Sequence, residues 1–327
     1  MREVVFDGSL DAVEIRQIYT QIMEELLEKD IRVVIGDADV GFSVYGGRMG
    51  SLAKKFGDRF FDVGIQEGNL VGMAAGLSLV GKIPYLALFA PFISRRVYDT
   101  VYSSLAYARL GAKLIGCDPG YTSSYNGGSH SALEDVGIMR CLPNIRIVDI
   151  SDSVMLRWVL EENSDPSALW YIRTPRSVKL EKIYAPGTSF RCGEAKVLRE
   201  GGDVTLFASG LMVAKALKAA ELLEKEGISV RVVDAVSVKP LDKDCLVRCA
   251  KETGAIVCCD NHREIGGLCS AAAEALAEAG ASCVFEKVAI CDRFGEVGSA
   301  EYLSTVYKLN VEDICEKTHL ALERKNK

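Results

Sequence analysis

Apolar residues fall at Ile15, Ile18, Ile22, Met23 and Leu26, a spacing of three and four that predicts a helix across residues 11–29. Asp11 and Glu14 stand at its start as a capping pair. The period then changes. A β-branched run at 31–35 ends in the turn-prone Gly36-Asp37-Ala38-Asp39, and strand patterns recur at 59–63, 83–89, 113–116, 144–149 and 168–173. Helical patterns separate most of them, among them 70–80 and 93–109. Strands apolar on both faces that alternate with helices predict a mainly parallel sheet covered on both sides, with ligands gathering beyond the carboxyl ends of the strands.

Between 179 and 203 the pattern weakens, and Pro186-Gly187 and Gly201-Gly202 break it. This divides the chain into a first domain, 1–185, and a smaller second domain, 186–327. Strands are expected in the second at 204–208, 229–233, 255–260 and 283–289, with helices at 212–226 and 267–279. The expected class is therefore α/β, two domains, each a mainly parallel sheet flanked by helices. A length of 327 residues agrees with two cores rather than one.

Net charge is -6 with no Lys/Arg run, so nothing would neutralise a phosphate backbone, and a nucleic-acid partner is excluded. The eleven cysteines are scattered and the three histidines, His130, His262 and His319, show no zinc spacing. Unpaired thiols fit a reducing cytosol. Glu3 and Asp7 stand where a signal peptide would be apolar, and no stretch approaches the ~20 apolar residues that span a bilayer, so a cytoplasmic protein with no membrane partner is expected.

Candidate chemistry collects at the expected strand ends. Glu67 lies where a strand gives way to a helix; it is either a first-turn acid favoured by the helix dipole or a carboxylate facing a ligand. Phe89 and Phe92 bracket Ala90-Pro91 just after another strand, as core packing or as a wall for a flat heteroaromatic ring. Residues 116–130 form a glycine-rich loop leading to His130 and to Ser131-Ala132-Leu133-Glu134, a capping-box pattern that predicts a helix start. Arg173 and Arg176 follow a strand and could clamp a phosphate or an interface carboxylate, or simply carry surface charge. Residues 261–267 precede a helix that could hold an anion at its N-terminus, a structural turn being the alternative.

In their order, GIQEGNLVGMAAG around Glu67, LFAPF, GGSHSALEDVGIMRCLPN and YIRTPR resemble the C-terminal section of transketolases. In the second domain GGDVTLFASG, VSVKPLD, NHREIGGLCSAAAEALAE and DRFGEVGSAEYL extend the resemblance over essentially the whole chain. It implies a pyrimidine-binding domain of thiamine-diphosphate enzymes followed by a transketolase C-terminal domain. Glu67 matches the family's catalytic glutamate, which hydrogen-bonds a pyrimidine ring nitrogen, and His130 is carried over as a second catalytic residue. Phe89 and Phe92 match positions that pack on the pyrimidine, and Asp39 lies in a motif near the cofactor. Arg16, Ser43, Asp118, Asn126, His130 and Arg173 are similar to substrate-binding positions. At Asp118 the usual transketolase has histidine, and a carboxylate there should repel a substrate phosphate. At Asn126 it has aspartate. An atypical ketose or acceptor is the expectation.

The family holds the cofactor's diphosphate and its metal through a Gly-Asp-Gly motif that this chain lacks. The resemblance therefore implies a separate N-terminal transketolase subunit that binds Mg2+ or Ca2+, with no metal ligand here, in a two-plus-two heterotetramer. It also implies self-association through this C-terminal subunit and a role in pentose phosphate metabolism. The rival readings are the beta subunit of a 2-oxo acid dehydrogenase-type decarboxylase, a deoxyxylulose-phosphate synthase relative, and a non-catalytic scaffold subunit.

Overall fold

The first helix starts later than its spacing indicates. In the computed structural model, which describes residues 3–327 apart from the side chain of Phe42, α1 spans Ile15–Lys29 and buries Ile15, Ile22, Met23, Leu26 and Leu27. Glu14 is its N-cap, in a capping box whose return arm runs from the Glu14 amide to Gln17 Oε1 at 3.2 Å. Asp11, expected to share that role, instead accepts from the Ser153 hydroxyl at 3.0 Å.

One compact unit runs up to Pro119 and resumes at 138–148 and 152–189. Its strands are β1 (Val33–Asp37), β2 (Phe60–Asp62), β3 (Ile83–Phe89), β4 (Ala112–Cys117), β5 (Ile145–Asp149) and β6 (Leu169–Thr174), ordered β5-β6-β4-β3-β1-β2. β1 pairs in parallel with β2 and β3, and β4 with β3 and β6. Every residue of β1, β3, β4 and β6 is buried, as a parallel sheet covered on both faces requires. Short helices α2 (Gly41–Val44) and α3 (Met49–Phe56) follow β1, and α4 (Glu67–Leu79) follows β2.

The continuous helix expected at 93–109 is interrupted. It is replaced by α5 (Ala90–Ile93), α6 (Tyr98–Thr100) and a π-helical stretch, Val101–Ala106. Ser94 leaves helical geometry at ψ -87°, with its hydroxyl donating to the Ala90 carbonyl at 2.5 Å, a side-chain bond that competes with the helix ladder. Next in the chain come α7 (Asp135–Arg140) and α8 (Ser153–Glu161). Asp152 caps α8 through the Met155 amide at 2.8 Å. At the other end of α8, buried Lys113 from β4 donates to the carbonyls of Val159, Leu160 and Glu162 at 2.6, 3.0 and 2.7 Å, serving acceptors that the helix leaves open.

The other unit comprises 120–137, 149–151 and the chain from Phe190 onward. Its strands are β7 (Lys196–Arg199), β8 (Val204–Ala208), β9 (Val230–Asp234), the short β10 (Ser237–Lys239), β11 (Ala255–Arg263) and β12 (Val284–Ile290). Five of them form a sheet ordered β12-β11-β8-β9-β7, parallel except for β7 against β9. Helices α9 (Met212–Lys225), α10 (Lys243–Thr253), α11 (Leu268–Glu278), α12 (Ala300–Val306) and α13 (Val311–Lys325) complete it. Among the described residues no helix is long and apolar enough to cross a membrane.

Candidate active site

The turn from β2 into α4 delivers Glu67. Gly64 adopts φ 70°, Gln66 is the N-cap, and Glu67 becomes the first residue of α4. A first-turn acid that served only the helix dipole would need neither burial nor a side-chain partner. Glu67 is 5% exposed, and its Oε1 accepts from Arg96 Nη1 at 2.7 Å. Oε2 takes no hydrogen bond from the described residues.

From this ion pair a run of contacts crosses the carboxyl ends of the strands. The Arg96 guanidinium lies over Phe92, 4.3 Å from the ring centroid. Phe92 meets Phe89 edge-on, centroids 6.0 Å apart at 87°. Over Phe89 lies a second guanidinium, Arg176, at 4.7 Å, and Arg176 in turn holds Asp118: its amide donates to Oδ1 at 3.0 Å and its Nε to Oδ2. Phe89 ends β3, Asp118 follows β4 and Arg176 follows β6, so the topology collects them at the edge where α/β sheets bind ligands.

Asp118 therefore does not stand as a bare repulsive charge. It is 4% exposed, burial raises its proton affinity, and Arg176 opposes that shift. Arg173, expected to meet substrate, is fully buried. Arg96 is the residue that sequence reading missed; the available signal was its place four residues after Phe92.

Arg16 and Ser43 come together through the Ser43 carbonyl, which accepts from Arg16 Nη1 at 3.3 Å, while Arg16 Nε is held by Glu14 at 2.6 Å. Asp39 is exposed in a left-handed conformation, φ 61°, with its amide donating to Asp62 at 3.1 Å. Two residues earlier, Asp37 was not foreseen. It is fully buried, one oxygen accepts from the Gly41 amide at 2.9 Å, and the other has no partner among the described residues.

Burial, reinforced by the charge of Asp62, lifts Asp37 from 3.8 to about 6. The folded state thus binds the proton more tightly than the unfolded state, and this residue's contribution to stability falls as pH rises from about 4 to about 6. Denaturation midpoints of the wild type and Asp37→Asn should diverge over that window. The variant should gain at most roughly 3 kcal/mol by neutral pH. Parallel profiles would count against a buried, neutral Asp37.

In the other unit the glycine-rich segment is tied down by β11. Asn261 Oδ1 accepts from the Tyr121 amide at 3.1 Å, and Gly120, at φ 61°, approaches so closely that a Cβ would lie 2.1 Å from that oxygen. His262 is fully buried, its Nε2 taking the Gly137 amide at 3.3 Å and its Nδ1 lying 2.7 Å from the Arg263 carbonyl, a fastening role. Asn126 is exposed, and half-buried His130 has Ser129 Oγ 2.9 Å from Nδ1. The helix expected at Ser131 begins at Asp135, because the Ser131 hydroxyl is engaged by Ser123 at 2.7 Å and Gly127 at 3.0 Å. No anion is needed at the N-terminus of α11, where the Leu268 amide already donates to Asp260 at 2.7 Å.

Comparison with known proteins gives this geometry a context. Residues 11–179 match the model of the transketolase pyrimidine binding domain, and residues 193–314 match the transketolase C-terminal domain. The 6-deoxy-6-sulfo-D-fructose transketolase subunit SqwH of Clostridium sp. (strain MSTE9) is 40% identical over 321 residues, 98% of each chain. A putative transketolase C-terminal section from Methanocaldococcus jannaschii is 34% identical over 304 residues, 92% of this chain and 94% of its own length. Among solved structures, a split gene transketolase, an inactive beta4 tetramer, aligns with a TM-score of 0.85 at 38% identity, over 96% of this chain and 100% of that one. With both domain models matched in sequence order and a relative aligned along nearly its full length, the chain belongs to the transketolase family.

Proposed function

We propose that this chain is the C-terminal subunit of a split transketolase, moving a two-carbon ketol unit from a ketose to an aldose with thiamine diphosphate. The observation that carries the reading is Glu67: buried at the start of α4, one oxygen anchored by Arg96 and the other unbonded among the described residues, linked through Arg96 to the Phe89–Phe92 pair. These residues fit a planar nitrogen heterocycle, since the aromatic face and the carboxylate already accept one planar cation, the Arg96 guanidinium. When bound, the cofactor supplies a nucleophilic carbon and a sink for the electron pair released when the ketose carbon-carbon bond breaks.

In this reading Glu67 would hold a proton against a pyrimidine nitrogen, Phe89 and Phe92 would pack on the ring, and Asp39 would lie near the cofactor. Arg16, Ser43, Asn126 and His130 orient the sugar, with His130 also moving a proton. Asp118 and Arg173, both buried, belong to the frame beneath the sugar rather than to its surface. A separate N-terminal subunit holds the diphosphate and its Mg2+ or Ca2+ through oxygen ligands, in a two-plus-two assembly. The beta4 tetramer of the split relative supports self-association of this chain when it is alone. The free cysteines support a cytoplasmic setting.

The donor is an atypical ketose with an anionic terminus. The 40% identical relative is named for 6-deoxy-6-sulfo-D-fructose, and this sugar is the first candidate, ahead of the pentose phosphates. Co-expression with a diphosphate-binding chain, followed by ketoses with thiamine diphosphate and Mg2+, tests this. Transfer should need both chains and should favour the sulfo sugar by at least about tenfold in kcat/KM. Equal turnover of xylulose and ribose phosphates would sink the atypical donor, pyruvate-driven turnover would replace ketol transfer by a decarboxylase reading, and no turnover with any pairing would leave a scaffold.

A further inference from the structure

The two acid–arginine–phenylalanine sets differ in how firmly they are closed. Arg176 grips both oxygens of Asp118 and its side chain is 15% exposed. Among the described residues Arg96 donates one side-chain hydrogen bond, to Glu67, and its side chain is 49% exposed. Arg96 also stands between two helical fragments, after Ser94 has left helical geometry and before Tyr98 restores it, so the local backbone does not fix its side chain against a long helix. One set is locked and the other is loose.

Glu67 cannot serve both partners. A guanidinium offers only hydrogen-bond donors, so toward Arg96 the Glu67 carboxylate can only accept. Sharing a proton with a ring nitrogen asks the same carboxyl group to hold that proton, and the ring itself would need the Phe92 face on which Arg96 lies. We propose that Arg96 is a built-in stand-in for the aminopyrimidine ring: it closes the ring site by pairing with Glu67 and covering Phe92, and it swings out when thiamine diphosphate loads. The proposal rests on the reading of Glu67 given above.

A closed state that must open before binding weakens apparent affinity by the fraction of time the site is closed. Calorimetric titration of the two-chain complex with thiamine diphosphate and Mg2+ reads this directly, without turnover. Arg96→Met, which keeps the chain length and removes the guanidinium, should bind the cofactor about tenfold more tightly if the closed form outnumbers the open form by about ten to one. Arg96→Lys retains the charge without the planar face and should tighten binding less. Far-UV spectra confirm that each variant is folded. Unchanged or weaker binding by Arg96→Met would overturn the stand-in and make Arg96 a permanent part of the cofactor seat. The underlying reading fails separately: if Glu67→Gln keeps full ketol transfer, Glu67 is not the catalytic acid, whatever Arg96→Met does to affinity.

Discussion

Replacing Glu67 by glutamine should lower kcat for ketol transfer by about 10²–10⁴-fold while the two chains still assemble, the range that a positioned acid or base contributes. Glutamine keeps the length and a hydrogen-bonding carbonyl at the first position of α4, so the turn from β2 should survive. Loss of the acid from the first turn costs at most about 1 kcal/mol of helix stabilisation. Arg96 loses its anion, but its half-exposed guanidinium can return to water. On the proposed reading, what disappears is the proton that Glu67 would share with a pyrimidine nitrogen. Because that interaction belongs to the chemical step, KM for the ketose should stay within about threefold. Steady-state kinetics with size-exclusion chromatography on the same samples checks both halves. A scaffold subunit would show kcat within about fivefold of wild type, and that result would remove Glu67 from the mechanism.

The strands were legible because a parallel sheet covered on both faces needs uninterrupted apolar runs, and the runs ending in Asp37, Phe89, Cys117 and Thr174 are of that kind. β7 was not foreseen, since an edge strand half open to solvent carries no such run. The break after Ile93 was hidden by Val97, Val101 and Leu105, which keep a helical period and are all buried, while the interruption rests on one hydroxyl, that of Ser94. The Ser131–Glu134 capping pattern misled for a related reason: a hydroxyl can serve one geometry at a time, and Ser131 is engaged by Ser123 and Gly127. Glu67, Phe89 and Phe92 could be placed from local pattern. Their partners could not, because Arg96 and Arg176 gain their meaning only where separate strand ends meet.

Removing Arg176 alone should destabilise the unit built on the first sheet by about 3–5 kcal/mol, the cost of stranding a buried charge. Asp118 is 4% exposed and both of its oxygens depend on Arg176, one of them through the side chain. In Arg176→Met the opposition to burial is lost, and the proton affinity of Asp118 rises further above its ordinary 3.8. A carboxyl group whose folded-state pKa is raised loses stability as pH climbs through that value, so the penalty should be larger at pH 7 than at pH 5. Adding Asp118→Asn removes the stranded charge, and the double variant should recover most of the loss. Urea midpoints around this cycle measure the coupling; a double variant no more stable than Arg176→Met would mean that Asp118 was not being compensated. The single Asp118→Asn variant carries the argument to substrate choice. It leaves Arg176 a guanidinium beside Phe89 with its carboxylate partner gone. If Asp118 shapes specificity by keeping Arg176 occupied, this variant should lower KM for phosphorylated ketoses. Direct repulsion by Asp118 would also lower that KM in Asp118→Asn, so the double variant decides: the gain should vanish without Arg176 if Arg176 is the group released, and persist if the carboxylate itself repels.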